Sequence, residues 1–187
     1  MNEQFLKFDQ DAGFTLVRER EVEKQKLPLK GRFVVEHVDK DGNLKGTYEF
    51  DNDIVNQGKN DLFDIMFHDG TQIASASWYI GLINLSGYSA LAASDVMSSH
   101  AGWAETTAYA EATRVAWGPG AAASQSITNA SPATFNINAT VTVKGIFVTS
   151  NSTKGGTTGR LWATALFSAD VPLSNGDQLR VTYTVSA

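Results

Sequence analysis

From Gln178 to Ser186 apolar and polar residues alternate without a break, with Leu179, Val181, Tyr183 and Val185 set against Gln178, Arg180, Thr182, Thr184 and Ser186. A period of two is that of a strand with one face on a core and the other in water; a helix would scatter the same four apolar residues around its circumference. Ser174-Asn175-Gly176-Asp177 ahead of it has turn composition. The pattern recurs upstream. Gly31–Val38 and Gly46–Phe50 are β-branched and aromatic, and Asp39-Lys40-Asp41-Gly42-Asn43 between them predicts a hairpin with a loop longer than two residues. Thr134–Asn138 alternates Phe135 and Ile137 with Asn136 and Asn138, Val141 and Val143 continue that period, and Leu161–Phe167 is a denser version. Thr113–Trp117 is a short strand closed by Gly118-Pro119-Gly120. Trp78–Ile83 is continuously apolar, as for a strand buried on both faces, with Gly81 admitting a close neighbour.

Helical spacing occurs once, where Asn60–His68 places Leu62, Ile65 and Met66 on one side, with Asn60 as N-cap and Gly70 as C-terminal stop. Met1–Pro28 carries Phe5, Phe8 and Phe14 and then the alternating-sign run Arg18–Lys26, which has no face to bury and reads as a solvated arm or a short helix. Ser86–Tyr109 and Ala121–Ser131 look irregular, and loops that long in a compact domain are usually functional surfaces or subunit contacts. There is no internal repeat. The fold expected is mainly β: an antiparallel β-sandwich, jelly-roll-like, over residues 31–187, including the N-terminal hairpin and one short helix, preceded by an extended arm over residues 1–30.

Composition removes several classes of function. The 187 residues, 42% of them hydrophobic, suffice for a core of one domain, and the absence of cysteine excludes a disulfide scaffold, a zinc ribbon and a thiol nucleophile. No apolar run approaches the ~20 residues of a membrane-spanning helix. Residues 1–69 hold ten Lys/Arg and fifteen Asp/Glu, so the whole net charge of −5 lies there, and residues 70–187 are neutral with only ten charges. Neither part offers the basic stripe that releases counterions from nucleic acid. Met1–Gln10 lacks the basic and apolar regions of a signal peptide, which predicts synthesis and folding in the cytoplasm. A polar surface so poor in charge suits a close-packed, hydrogen-bonding shell.

The chemistry-bearing residues form no catalytic or metal-binding motif. Asp39–Asn43 begins like a calcium loop, but Leu44 and Phe50 stand where the glycine and the bidentate glutamate belong. Gly155–Arg160 lacks the Gly-Lys-Ser/Thr ending of a phosphate loop and runs into a strand, so it is a turn. His37, His68 and His100 have no partner at ligand spacing: His37 shares a strand face with Phe33 and Val35, His68 ends the helix and His100 lies in a loop. A composite metal site with Asp69 or Asp95 is disfavoured. Glu105 and Glu111 would serve glycoside hydrolysis only across a cleft, and no serine-nucleophile elbow exists. The expectation is a non-enzyme without metal or cofactor. Trp78, Trp117 and Trp162 lie in strand-like runs and are assigned to the core, whereas Trp103, in the loop His100-Ala101-Gly102-Trp103, is the candidate aromatic anchor of a subunit interface, with His100 beside it.

Trp78-Tyr79-Ile80-Gly81-Leu82, Ser99-His100-Ala101-Gly102-Trp103, Tyr109 followed by Arg114-Val115-Ala116-Trp117, Lys144-Gly145-Ile146-Phe147, Asn151–Gly159 and the closing Gly176-Asp177-x-Leu179-x-Val181-Thr182-Tyr183 form a series. The series resembles that of small virion structural proteins of tailed double-stranded-DNA bacteriophages, over about residues 60–187; Met1–Phe50 has no counterpart. The resemblance implies a capsid decoration or cement protein in the virion. Its partner would be the major capsid protein, and it would self-associate as dimers or trimers, with no nucleic-acid or membrane partner. The interface residues expected are Phe5, Phe8 and Phe14 of the arm together with His100 and Trp103. A tail, baseplate or fibre adaptor is the alternative within that group. A host-glycan-binding module and a polysaccharide-degrading virion enzyme are the readings outside it.

Overall fold

The computed structural model describes the backbone of Phe5–Asp9 and Gly13–Val17 and the whole of residues 28–187. Strands β1 (Phe5–Asp9) and β2 (Gly13–Val17) pair antiparallel, with Leu6 opposite Leu16 and Phe8 opposite Phe14. The arm expected over residues 1–30 thus includes a hairpin. The solvated run Arg18–Lys26, and the side chains of Phe5, Phe8 and Phe14 as anchors, lie outside the described residues.

Ten strands build one antiparallel, curled sheet, a half-barrel: β3 (Lys30–Val38), β4 (Leu44–Ile54), β5 (Tyr79–Asn84), β6 (Ala104–Thr106), β7 (Val115–Ala116), β8 (Ser126–Thr128), β9 (Ala133–Asn136), β10 (Val141–Thr149), β11 (Leu161–Leu173) and β12 (Gln178–Ser186). Their order is β6-β5-β10-β11-β4-β3-β12-β8, with β7 added to β5 and β9 to β12. β4 carries the sheet from one half to the other, pairing with β3 from Leu44 to Asn52 and with β11 at Asp53 and Ile54. The β3–β4 turn is the expected one: the Asp39 carboxylate accepts the N–H groups of Asp41 and Asn43, at 2.9 and 2.8 Å.

The alternation of β12 puts Leu179, Val181 and Tyr183 wholly inside the curl, beside Phe33 and Val35 of β3 and Phe135 of β9. Ile80 and Leu82 of β5 and Ile146 and Val148 of β10 belong to the same core. Each such side chain removed from water contributes roughly 1.5–3 kcal/mol. A second, smaller core lies on the other face of β5 and β10, where Ile83, Phe147 and Leu161 meet Val55, Met97 and Trp103. β5 is therefore buried on both faces, as its continuous apolar run required. Gly81 is opposite Phe147 in the ladder, and a Cβ there would stand 2.2 Å from the Phe147 ring.

Several boundaries differ from the sequence expectation. The helix α1 spans Asn56–Phe67 and so begins a turn before Asn60; its N-cap is Val55, which makes no side-chain cap and instead buries its side chain in the smaller core. The stop at Gly70 holds, since the Asp64 carbonyl accepts N–H groups from both His68 and Gly70. The period shared by Thr134–Asn138 and Val141–Val143 is not one strand: β9 pairs with β12, whereas β10 lies between β5 and β11. Of Thr113–Trp117 only Val115–Ala116 is strand, on β5.

Candidate functional site

Glu105 and Glu111, the carboxylates singled out in the sequence, both accept hydrogen bonds from protein donors. Arg114, 1% exposed, points its guanidinium at Glu105: Nε donates to Oε1 at 3.0 Å and an Nη to Oε2 at 2.7 Å. The remaining donors reach the Asn151 carbonyl at 2.9 Å and the Gly156 carbonyl at 2.7 Å, and Glu105 also accepts the Gly155 N–H at 2.7 Å. The guanidinium lies 5.2 Å from the Phe147 ring centre. Gly155–Arg160 is thus a turn held down by an internal ion pair. Lys154 donates to the Tyr109 carbonyl at 2.8 Å and sits over the Tyr109 ring. Burial, reinforced by the Glu105 charge, pushes the Tyr109 hydroxyl well above the usual phenol range. Glu111 accepts the Asn136 side-chain amide at 2.6 Å. Glu105 and Glu111 are therefore both engaged by structural donors, and Glu105 and Arg114 line a concavity of about 260 Å³ with His100 and Trp103.

His37 is packed as expected, with a specific partner: its Nε2 lies 2.8 Å from Asp177, which also accepts Lys45 Nζ at 3.0 Å and the Ser174 N–H at 2.9 Å. Burial works against the Asp177 charge, yet these three donors prevail and hold its carboxyl down at about 2. The Ser174–Asp177 turn is thereby pinned to the β3–β4 hairpin. Among the described residues no three His, Asp or Glu side chains gather as a metal-binding group.

Trp103 requires a correction. The expectation of an exposed anchor fails because the ring is 3% exposed, 4.9 Å from the Phe147 centroid, with its indole N–H donating to Asp95 at 2.9 Å. His100, half-buried, stacks on it at 3.9 Å. The irregular loop folds over the outer face of β5 and β10, and Trp103 fills the space that results. Trp117 is core, and its indole N–H donates to the Tyr183 carbonyl. Trp78 and Trp162 are only half-buried, meet edge to face at 6.3 Å, and pack on that core from outside.

Those two rings help to line an open, apolar concavity. It holds about 390 Å³, and its wall is α1 through Leu62, Ile65 and Met66, with Leu29 at the rim. α1 is clamped on the sheet by its first turns: Gly58 fits against Trp162, where a Cβ would be 2.6 Å from the carbonyl oxygen, Gln57 accepts the Leu161 N–H, and Arg160 pairs with Asp61. Gly58 is the helix's only buried residue. Further along, Phe63 is 60% exposed, Met66 63% and Phe67 80%. A helix that turns three large apolar side chains to water next to an apolar groove has an unpartnered face. Sequence spacing had placed Leu62, Ile65 and Met66 on one side of a helix; Phe63 and Phe67, off that stripe, were the overlooked signal.

No protein-family model matches the chain, and no curated protein matches it.

Proposed function

We propose that the chain is a bacteriophage virion structural protein, a capsid decoration or cement protein that binds between major capsid subunits and stabilises the mature head. The observation that carries an interaction role is the groove beside α1, an open apolar concavity lined by Leu62, Ile65 and Met66, on a helix that also leaves Phe63 and Phe67 exposed. Docking, not turnover, is what such a surface supports, and we read the protein as a non-enzyme.

The virion assignment rests on the resemblance. The residues that carry it meet in space, since Arg114 reaches Asn151, Gly156 and Phe147, and Trp103 packs on Phe147. We read the two halves of the curled sheet as the layers of a jelly-roll-like sandwich. Many copies, self-associated and bound to the assembled lattice but not to separated subunits, stabilise the shell by mass action. A tail, baseplate or fibre adaptor is the second reading, favoured by the same groove if few copies are present. Quantitative mass spectrometry of purified virions tests the choice. A ratio to the major capsid protein near one, or a simple fraction of one, supports a lattice-wide cement protein; a handful of copies selects the adaptor; absence from the particle overturns both.

A further inference from the structure

We infer that the groove beside α1 is the seat of the N-terminal hairpin of a second copy of this chain. The inference deepens the self-association in the proposed function, and it is tested in purified protein so that it and the virion assignment fail separately.

The register of the hairpin pairs Leu6 with Leu16 and Phe8 with Phe14, so that four large apolar residues recur at alternate positions on either side of the Lys7–Thr15 pair. A two-stranded hairpin is marginal in water without a surface to pack on. The groove offers such a surface, with Trp78, Trp162, Leu62, Ile65 and Met66 around a volume suited to a few apolar side chains.

The connection decides whose hairpin it is. Leu29 lines the groove, so the hairpin's own chain passes the rim of its own groove. Returning to it would take a turn of a few residues. Ten residues, 18–27, separate β2 from Pro28, enough to span about 35 Å when extended. Seven of them are charged with alternating sign and little apolar content, a composition with no face to bury. Length and composition fit a reach to the next copy, and reciprocal reach joins copies without loose ends.

The absence of cysteine makes the test direct. Full-length Phe8→Cys and Met66→Cys are prepared separately, mixed and oxidised, with Arg180→Cys, exposed on β12, replacing Met66→Cys as the control. A disulfide-linked heterodimer in the first mixture, at several times the control yield, is expected. A Phe8→Cys/Met66→Cys double variant that closes only within one chain overturns the inference in favour of the chain's own hairpin, and yields no higher than the control overturn any seating. Light scattering of Phe8→Asp/Phe14→Asp is expected to give a monomer that still unfolds cooperatively, against a larger parent species. Unchanged mass, or a monomeric parent at every concentration, refutes it.

Discussion

Replacing Arg114 by Met keeps most of the side-chain volume and removes the charge, so its cost reports the guanidinium's polar contacts, the ion pair foremost. Glu105, with 6% of its side chain exposed, would retain only the Gly155 N–H, and the Asn151 and Gly156 carbonyls would each lose a donor. Breaking a buried pair from one side costs about 3–5 kcal/mol, because the remaining charge is uncompensated, and each orphaned carbonyl adds about 1–3 kcal/mol unless it finds water. Relaxation of the 151–159 loop offsets part of this, and about 4 kcal/mol is expected. That is a large share of the 5–15 kcal/mol that holds a domain together, and lowers Tm by roughly 8–16 °C. Urea unfolding at neutral pH, followed by tryptophan fluorescence, measures it. Glu105→Gln/Arg114→Met should be more stable than Arg114→Met by about 1–2 kcal/mol, since it no longer buries a lone carboxylate. A single variant that loses less than ~1 kcal/mol, or a double variant no better than the single, would refute the idea that this pair staples the loop.

Gly81→Ala should cost about 1–3 kcal/mol by forcing Cβ into Phe147, read as a fall in Tm; an unchanged Tm means that the ring has room to move. Trp103→Ala should cost about 3–5 kcal/mol in urea unfolding, through a cavity beside Phe147 and an Asp95 deprived of its indole donor, whereas an exposed anchor would cost almost nothing. Acid should weaken the fold through Asp177: its folded pKa, about 2, is below the unfolded value near 3.8, so its contribution is complete above about pH 4 and is lost as the pH falls through 2. The loss is roughly 2 kcal/mol. Asp177→Asn should flatten stability over that range, and parallel pH profiles for variant and parent would exclude the assignment.

What could be read from the chain follows from how local the cause is. β12 was legible because burial on one face writes a period of two into nine consecutive residues, and the Asp39–Asn43 turn because its hydrogen bonds begin and end within five. The start of α1 was not, because Val55 caps nothing and the first turn is fixed by Gly58 against Trp162, a contact across about a hundred residues of chain. Trp103 misled for the same reason: in sequence it sits in a polar loop, and only the docking of that loop on β5 and β10 makes it interior. The Glu105–Arg114 pair left a fainter trace. An arginine inside a strand-like run, in a segment with few charges, needed a partner, and Glu105 was the one glutamate nearby besides Glu111.

The pairing of β3 with β12 fixes the order of events during synthesis. Lys30 is opposite Ser186 and Val38 opposite Gln178, so β3 must wait for β12, which is made much later. Until then the β3–β4 hairpin presents Phe33 and Val35 with no layer to cover them, along with an unsatisfied backbone edge. Contacts between such distant parts of a chain form slowly, and a nascent chain halted before Gln178 would expose an aggregation-prone intermediate. Loss of the last dozen residues would therefore remove the strand that closes the curl, and production of the protein in quantity would depend on protecting that early hairpin while the rest is translated.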